Sequence, residues 1–202
     1  MPKKRPVSES PEGARRKAAI LQAATELFAR NGYRDASLAS VADAVGLTPP
    51  GLLHHFPSKP DLLVVLLRER EKRDKAVVAD ALMNHPGDVV RLLEALVAHN
   101  EAEHDDTWLH TVLSAEATSP DHPAHDFFVA RYARVRTALG RTIAEQSSAS
   151  DLAKDEIDAL ATICMAVMDG LQVQWLLDPQ TDMNAGFRVF GKLLQKALGH
   201  LE

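Results

Sequence analysis

The chain is poor in cysteine and in aromatic side chains. Of its 202 residues one is cysteine, two are tryptophan, two tyrosine and six phenylalanine. The single thiol, Cys164, closes no disulfide within the chain, which fits a reducing cytoplasm, and reads as a small buried hydrophobe. No run of eighteen apolar residues occurs, so no bilayer-spanning segment is expected. The basic start, Met1-Pro2-Lys3-Lys4-Arg5-Pro6, leads into no apolar stretch and does not read as a signal peptide. Catalytic signatures are missing as well. His99, His104, His110, His122 and His125 form no His-Glu-x-x-His pattern, and His122-Pro123-Ala124-His125 straddles a loop and a helix start. Glu116, Asp121 and His125 have no nucleophile motif or glycine-rich phosphate loop beside them. No metal, no cofactor and no catalysis are expected.

Alanine and leucine are abundant, and these side chains lose little entropy in a helix, so the expected fold class is all-α. The length suits one or two compact units. The formal net charge is -5, but it is unevenly spread. Residues 1–60 hold nine Lys and Arg against five Asp and Glu, while residues 61–202 hold fourteen against twenty-three. A basic head on an acidic body suggests that only the head meets phosphate.

Residues 1–12 are polar and proline-rich and read as a disordered basic arm. A first helix is expected from about Gly13, with Ile20, Ala23, Ala24, Leu27 and Phe28 as its apolar stripe and Asn31-Gly32 as its stop. Ser37 caps a short second helix, Gly46 permits a turn, and Thr48 with Pro49 starts a third that ends at Phe56-Pro57. Ser58 and Asp61 resemble a capping box opening a fourth. Two short helices joined by a glycine-containing turn, after a longer helix, describe a helix-turn-helix. The same pattern also suits a plain three-helix packing unit.

The stretch from Arg16 to Leu63 resembles the DNA-binding domain of the TetR family of one-component repressors. The match is carried by Ile20-Leu21-Gln22-Ala23-Ala24, Leu27-Phe28, Asn31-Gly32-Tyr33, Ser37-Leu38-Ala39-Ser40-Val41-Ala42 and Val45-Gly46-Leu47-Thr48. It continues through His54-His55-Phe56-Pro57-Ser58-Lys59 and Asp61-Leu62-Leu63. The resemblance implies that Ser37 meets a phosphate, that Thr48, Pro49, Pro50 and Gly51 lie at the exposed start of the recognition helix, and that His54 and Lys59 reach the DNA backbone or bases. The chain departs from the family at Leu53, where a tyrosine is common, and at Pro50-Gly51. These changes remove donors, so Arg34 and the arm are expected to supply part of the affinity.

The resemblance also implies an all-helical body, residues 61–202, that binds a small-molecule effector and forms a homodimer through its last two long helices. Further helices are expected over about Val89–Glu103, Thr107–Thr118, Ala124–Ser147, Asp151–Leu177 and Thr181–Leu198, making about nine in all. The segment Met168–Pro179 is similar to the family's dimer helix, and Gly170 within it signals a close approach, either to a partner or inside one chain. The expected dimer contacts are Ile163, Val167, Gly170, Leu171, Gln174, Phe187, Phe190 and Leu194. Trp108, Val112, Phe127, Phe128, Met165, Met168 and Trp175 are candidate pocket walls, with His99, His110 or Gln172 as polar anchors; the same residues could simply fill the core. The expected partners are double-stranded operator DNA, an effector and a second copy. Two heads would fit successive major grooves about 34–36 Å apart. An effector-independent architectural protein, or a helical enzyme or carrier, are the alternatives.

Overall fold

A computed structural model describes residues 11–146 and 152–199; residues 1–10, and with them nearly all of the expected arm, lie outside the described residues. Among those described there are nine helices and no strand: α1 (Pro11–Asp35), α2 (Leu38–Ala44), α3 (Pro49–His55), α4 (Lys59–Asn84), α5 (Val89–Ala102), α6 (His104–Glu116), α7 (His125–Gln146), α8 (Lys154–Leu177) and α9 (Met183–Ala197). The chain divides into two compact units, Met1–Leu66 and Leu67–Glu202, with the division inside α4.

Local chemistry accounts for the N-terminal unit. Gly32 breaks the helical path of α1 with φ 76, a left-handed backbone that glycine adopts without steric cost. Behind the break, Phe28 and Tyr33 meet edge to face at 5.5 Å. Ser37 caps α2 by accepting from the Ser40 amide at 3.0 Å. The helix closes through Gly46 at φ 66, with the Leu47 amide donating to the Ala42 carbonyl and the Gly46 amide to the Asp43 carbonyl. This paired closure satisfies the last carbonyls of α2 and turns the chain sharply into α3. Thr48 caps α3, and Ser58 accepts from the Asp61 amide while donating to the Asp61 carboxylate, so the cap expected for α4 forms. Ile20, Ala24, Phe28, Val41, Ala42, Leu52, Phe56, Leu62 and Leu63 are buried.

In the C-terminal unit Asp88 caps α5 by accepting from the Val90 and Arg91 amides, both at 3.0 Å. The Gln146 side chain accepts from the Val89 amide at 2.9 Å and ties the end of α7 to the start of α5. The core joins Leu92, Leu93 and Val97 of α5, Leu139 and Ile143 of α7, Cys164 of α8 and Phe187 and Leu194 of α9. Cys164 is buried, and burial pushes its thiol up to about 12, so it behaves as the expected small hydrophobe. Two glycines let α9 lie close to its neighbours. A Cβ at Gly186 would stand 2.9 Å from Leu171 Cδ2, and one at Gly191 would stand 2.8 Å from Val90 Cγ1.

Helix α8 holds no unbroken run of eighteen apolar residues, although among the described residues it is the one helix long and apolar enough, by length and composition alone, to cross a bilayer. Its apolar residues divide instead between the core and an outward face: Ala161, Cys164 and Trp175 are buried, whereas Ile163, Val173 and Leu177 are exposed.

Candidate functional site

The exposed face of α3 is short and almost without donors. Leu52 points inward; Pro49, Pro50, Leu53 and His54 are exposed. The Thr48 hydroxyl accepts from the Gly51 amide at 3.3 Å, and a Cβ at Gly51 would meet that oxygen at 3.3 Å. Thr48 is therefore engaged in its cap, and glycine fits against it without displacement. Ser37 is likewise held within α2, its hydroxyl 2.8 Å from that of Ser40. Lys59 is less free than the sequence suggested. Its Nζ donates to the Arg34 carbonyl at 3.0 Å and lies 4.4 Å from the centre of the Tyr33 ring. An ammonium has three donors, so two remain for a phosphate. Arg34 is exposed. The sequence reading did not single out Arg16: with Glu12 and Gly13 of α1 it borders a shallow groove whose other side is Leu47, Gly51, His54 and His55. A cation three helical turns before Phe28, with no other reason to face α3, carries no local signal of that placement.

The C-terminal unit contains a cavity of about 300 Å³ between α4, α5, α6, α7 and α8. Its walls are aliphatic: Val78 and Leu82 of α4, Leu92, Leu93 and Leu96 of α5, Val135, Ala138 and Leu139 of α7, and Met165 and Met168 of α8. Polar groups gather along its α4–α7 side, where Asp74 and Glu71 face Arg131 and Arg134. Arg131 Nη2 donates to Asp74 Oδ2 at 3.0 Å and Arg134 Nη2 to Glu71 Oε1 at 2.8 Å. Tyr132 donates to Asp169 Oδ2 at 2.7 Å, and burial raises the pKa of both groups. Lys75, Asn100, His110 and Thr142 are its other polar lining residues. His110 is packed 5.1 Å from the Phe128 ring; its Nδ1 is buried without a hydrogen-bond partner, and burial, with Arg70 and Arg131 nearby, drives its pKa well below the usual histidine value.

Of the expected pocket residues, His110, Met165 and Met168 line this cavity. The others stand elsewhere. Trp175 is buried and packs on His104 at 5.1 Å between ring centres, Gln172 is buried, and Phe127 and Phe128 pack edge to face on each other. Trp108 and Val112 are partly buried on α6 but do not border the space. His99 turns to Asp74, with Nε2 3.8 Å from Oδ1. Of the aromatic residues expected as walls, Phe127, Phe128 and Trp175 make ring contacts outside the cavity, whose walls are mainly leucine, valine and methionine.

The expected self-association residues separate in the same way. Phe187 and Leu194 are only 1% and 2% exposed and belong to the chain's own core, so they have no surface left to bury against a second copy. The other stripe of α9 is open: Val189 and Leu193 are 61% and 63% exposed, with Phe190 partly exposed beside them. On α8, Ile163 is 47% exposed and Leu177 81%. Ile163, Ala166, Gly170, Val173 and Leu177 recur at alternating steps of three and four, with Val167 and Gln174 alongside; Leu171 is instead turned to Gly186 of α9. A Cβ at Gly170 would have nothing within 4 Å, so the chain's own packing does not require glycine there.

Comparison with known proteins bears on both units. Residues 20–66 match the family model of bacterial regulatory proteins of the tetR family, and residues 87–195 match that of the C-terminal region of BetI-type transcriptional repressors. The transcriptional repressor Rv1474c of Mycobacterium tuberculosis is 30% identical over 176 residues, covering 85% of this chain and 86% of that protein. The repressor AcnR of Corynebacterium diphtheriae is 29% identical over 170 residues, covering 82% and 83%. A regulator from Saccharomonospora viridis, solved in complex with choline, has the same fold, with a TM-score of 0.74 at 24% identity over 91% of this chain and 96% of that one. These relatives are transcriptional regulators. With both units matched, and a repressor at this level of identity over most of its length, the chain belongs to the TetR family of helix-turn-helix transcriptional regulators.

Proposed function

We propose that the chain is a repressor that binds a palindromic operator as a homodimer and leaves it when a small molecule enters the cavity bordered by α4, α5, α6, α7 and α8. Helix α4 carries this reading. Three residues separate it from the end of the recognition helix α3, and its later turns supply Glu71, Asp74, Val78 and Leu82 to the cavity. An effector that prefers one placement of α4 thereby alters how the head is presented, and only by as much as its affinity for the two states differs. The second copy docks on the outward stripes of α8 and α9, where Gly170 lets two helices approach closely.

DNA contact in this scheme comes chiefly from cations around α3. Arg16, Arg34 and Lys59 hold phosphates, while Thr48, Pro49, Pro50, Gly51, Leu53 and His54 face the groove. Pro49 and Pro50 lack amide donors and Gly51 lacks a side chain, so apolar contact with thymine methyl groups outweighs hydrogen-bonded base reading. The test is a fluorescence-anisotropy titration with duplexes from upstream of the chain's own coding sequence. Arg16→Ala, Arg34→Ala and Lys59→Ala should each weaken binding and reduce the salt slope of the dimer by about two units, one for each head. Sedimentation should find two chains, or a multiple of two, per duplex. A monomer indifferent to those duplexes overturns the reading.

A further inference from the structure

The charged groups bordering the cavity are arranged as an exchange site. Asp74 and Glu71 of α4 face Arg131 and Arg134 of α7 as two antiparallel rungs. The Asp74 rung is incomplete on both sides. Arg131 gives it a single N–H, and Asp74 Oδ1 is buried with no hydrogen bond, so the pair is not the two-point carboxylate clamp that a guanidinium can form. One turn earlier on α4, Arg70 is buried, donates through Nη2 to Asn100 at 3.0 Å, and has an unpartnered Nε that lies 4.0 Å from Asp74 Oδ2. Asp74 thus stands between two guanidiniums and satisfies neither fully.

The surroundings favour an incoming anion over a cation. Every lining carboxylate is already engaged: Glu71 by Arg134 and Lys75, Asp74 by Arg131, and Asp169 by Tyr132. With Arg70 counted, cations outnumber carboxylates at this end. Capture of a quaternary ammonium uses several aromatic faces, and Tyr132 is the only phenyl, phenol or indole side chain among the cavity's lining residues. The remainder of the space is aliphatic and has room for about ten water-sized groups.

Taking the cavity as the effector site proposed above, we infer that it holds a molecule with an aliphatic body and one acid group, and that the acid group displaces Asp74 from Arg131. The incoming carboxylate takes two N–H groups of Arg131. Asp74 turns to the open Nε of Arg70, so no buried charge is left alone. The rung joining α4 to α7 is thereby cut. The acid group, not the filling of the space, is what frees α4.

Three probes built on a ten-carbon chain and differing at the head test this by calorimetry on the full chain: decanoate, decanol and decyltrimethylammonium, all below micelle-forming concentrations. Decanoate should bind about tenfold more tightly than decanol, and decyltrimethylammonium more weakly than either. Arg131→Gln should bring decanoate to the affinity of decanol while leaving decanol unchanged. Asp74→Asn, which removes the competitor, should tighten decanoate several-fold. Hydrogen exchange along residues 67–84 should rise with decanoate and not with decanol. If Asp74→Asn fails to fold, the comparison of heads on the unaltered chain decides the matter alone. Equal affinities, or a preference for the cationic head, overturn the acid-group assignment and leave the cavity an effector site. No binding of any of the three overturns both.

Discussion

His110 is the residue in which burial and charge conflict most openly. It lines the cavity on α6, its Nδ1 has no partner, and desolvation followed by the fields of Arg70 and Arg131 holds it neutral far below the usual histidine range. The unfolded chain takes up this proton near the ordinary value of about 6.5. Between that value and the depressed folded one, only the unfolded state is protonated, so stability is full at neutral pH and falls on acidification. The expected slope from this group is at most about 1.4 kcal/mol per pH unit. Urea unfolding of the native chain and of His110→Gln, at about pH 7 and about pH 5, should show the native chain losing more stability by that order. Parallel losses would mean that another group carries the pH dependence.

At the scale of the helix, the glycines of α8 and α9 have different duties. Gly191 faces Val90, a stiff branched side chain buried on α5, at a distance no real Cβ tolerates. Alanine there gains about 1 kcal/mol of helix propensity but overpacks the core at a cost of about 1–3 kcal/mol. Gly191→Ala should therefore lower stability in thermal unfolding by about 1 kcal/mol net. A Cβ at Gly170 would meet nothing within 4 Å among the described residues. Gly170→Leu should leave the circular dichroism of the helices unchanged yet shift sedimentation toward the monomer; an unaltered dimer would place the interface elsewhere.

The helices also show which signals are legible in the sequence alone. Ser37, Gly46, Thr48, Ser58 and Asp88 mark their caps and turns correctly because a cap is a bargain among residues three or four apart. On α9 both stripes are apolar, Phe187–Gly191–Leu194 and Val189–Phe190–Leu193, and periodicity cannot say which of them meets α5 and α8. Gly191, lying between Phe187 and Leu194, is the one local hint that theirs is the close-packed side. The cavity was less visible still. Asp74, Glu71, Arg131 and Arg134 read as solvated charges on two separate helices, and only the pairing of α4 with α7 turns them into its polar wall.

For the whole molecule, the division of charge and the open apolar stripes set behaviour in solution. Nine basic side chains lie in the first sixty residues, against an acidic remainder, so DNA affinity should fall steeply with salt while self-association, being apolar, should not. Replacing Val189 and Leu193 together by lysine should yield a monomer. That monomer should keep its helices and lose the cooperative binding of two heads to one duplex, as measured by sedimentation and anisotropy in parallel. Retained dimers would exclude the outward stripe of α9 from the contact.

Val189, Leu193 and Leu177 tie the proposed dimer to the chain's own abundance. If a second copy is what covers these exposed side chains, the thermal midpoint should climb as protein concentration is raised. In that case a chain without a partner would present uncovered helices to proteases and chaperones, and pairing would protect it. A regulator of that kind would hold a steady level that sharpens from graded supply toward a threshold.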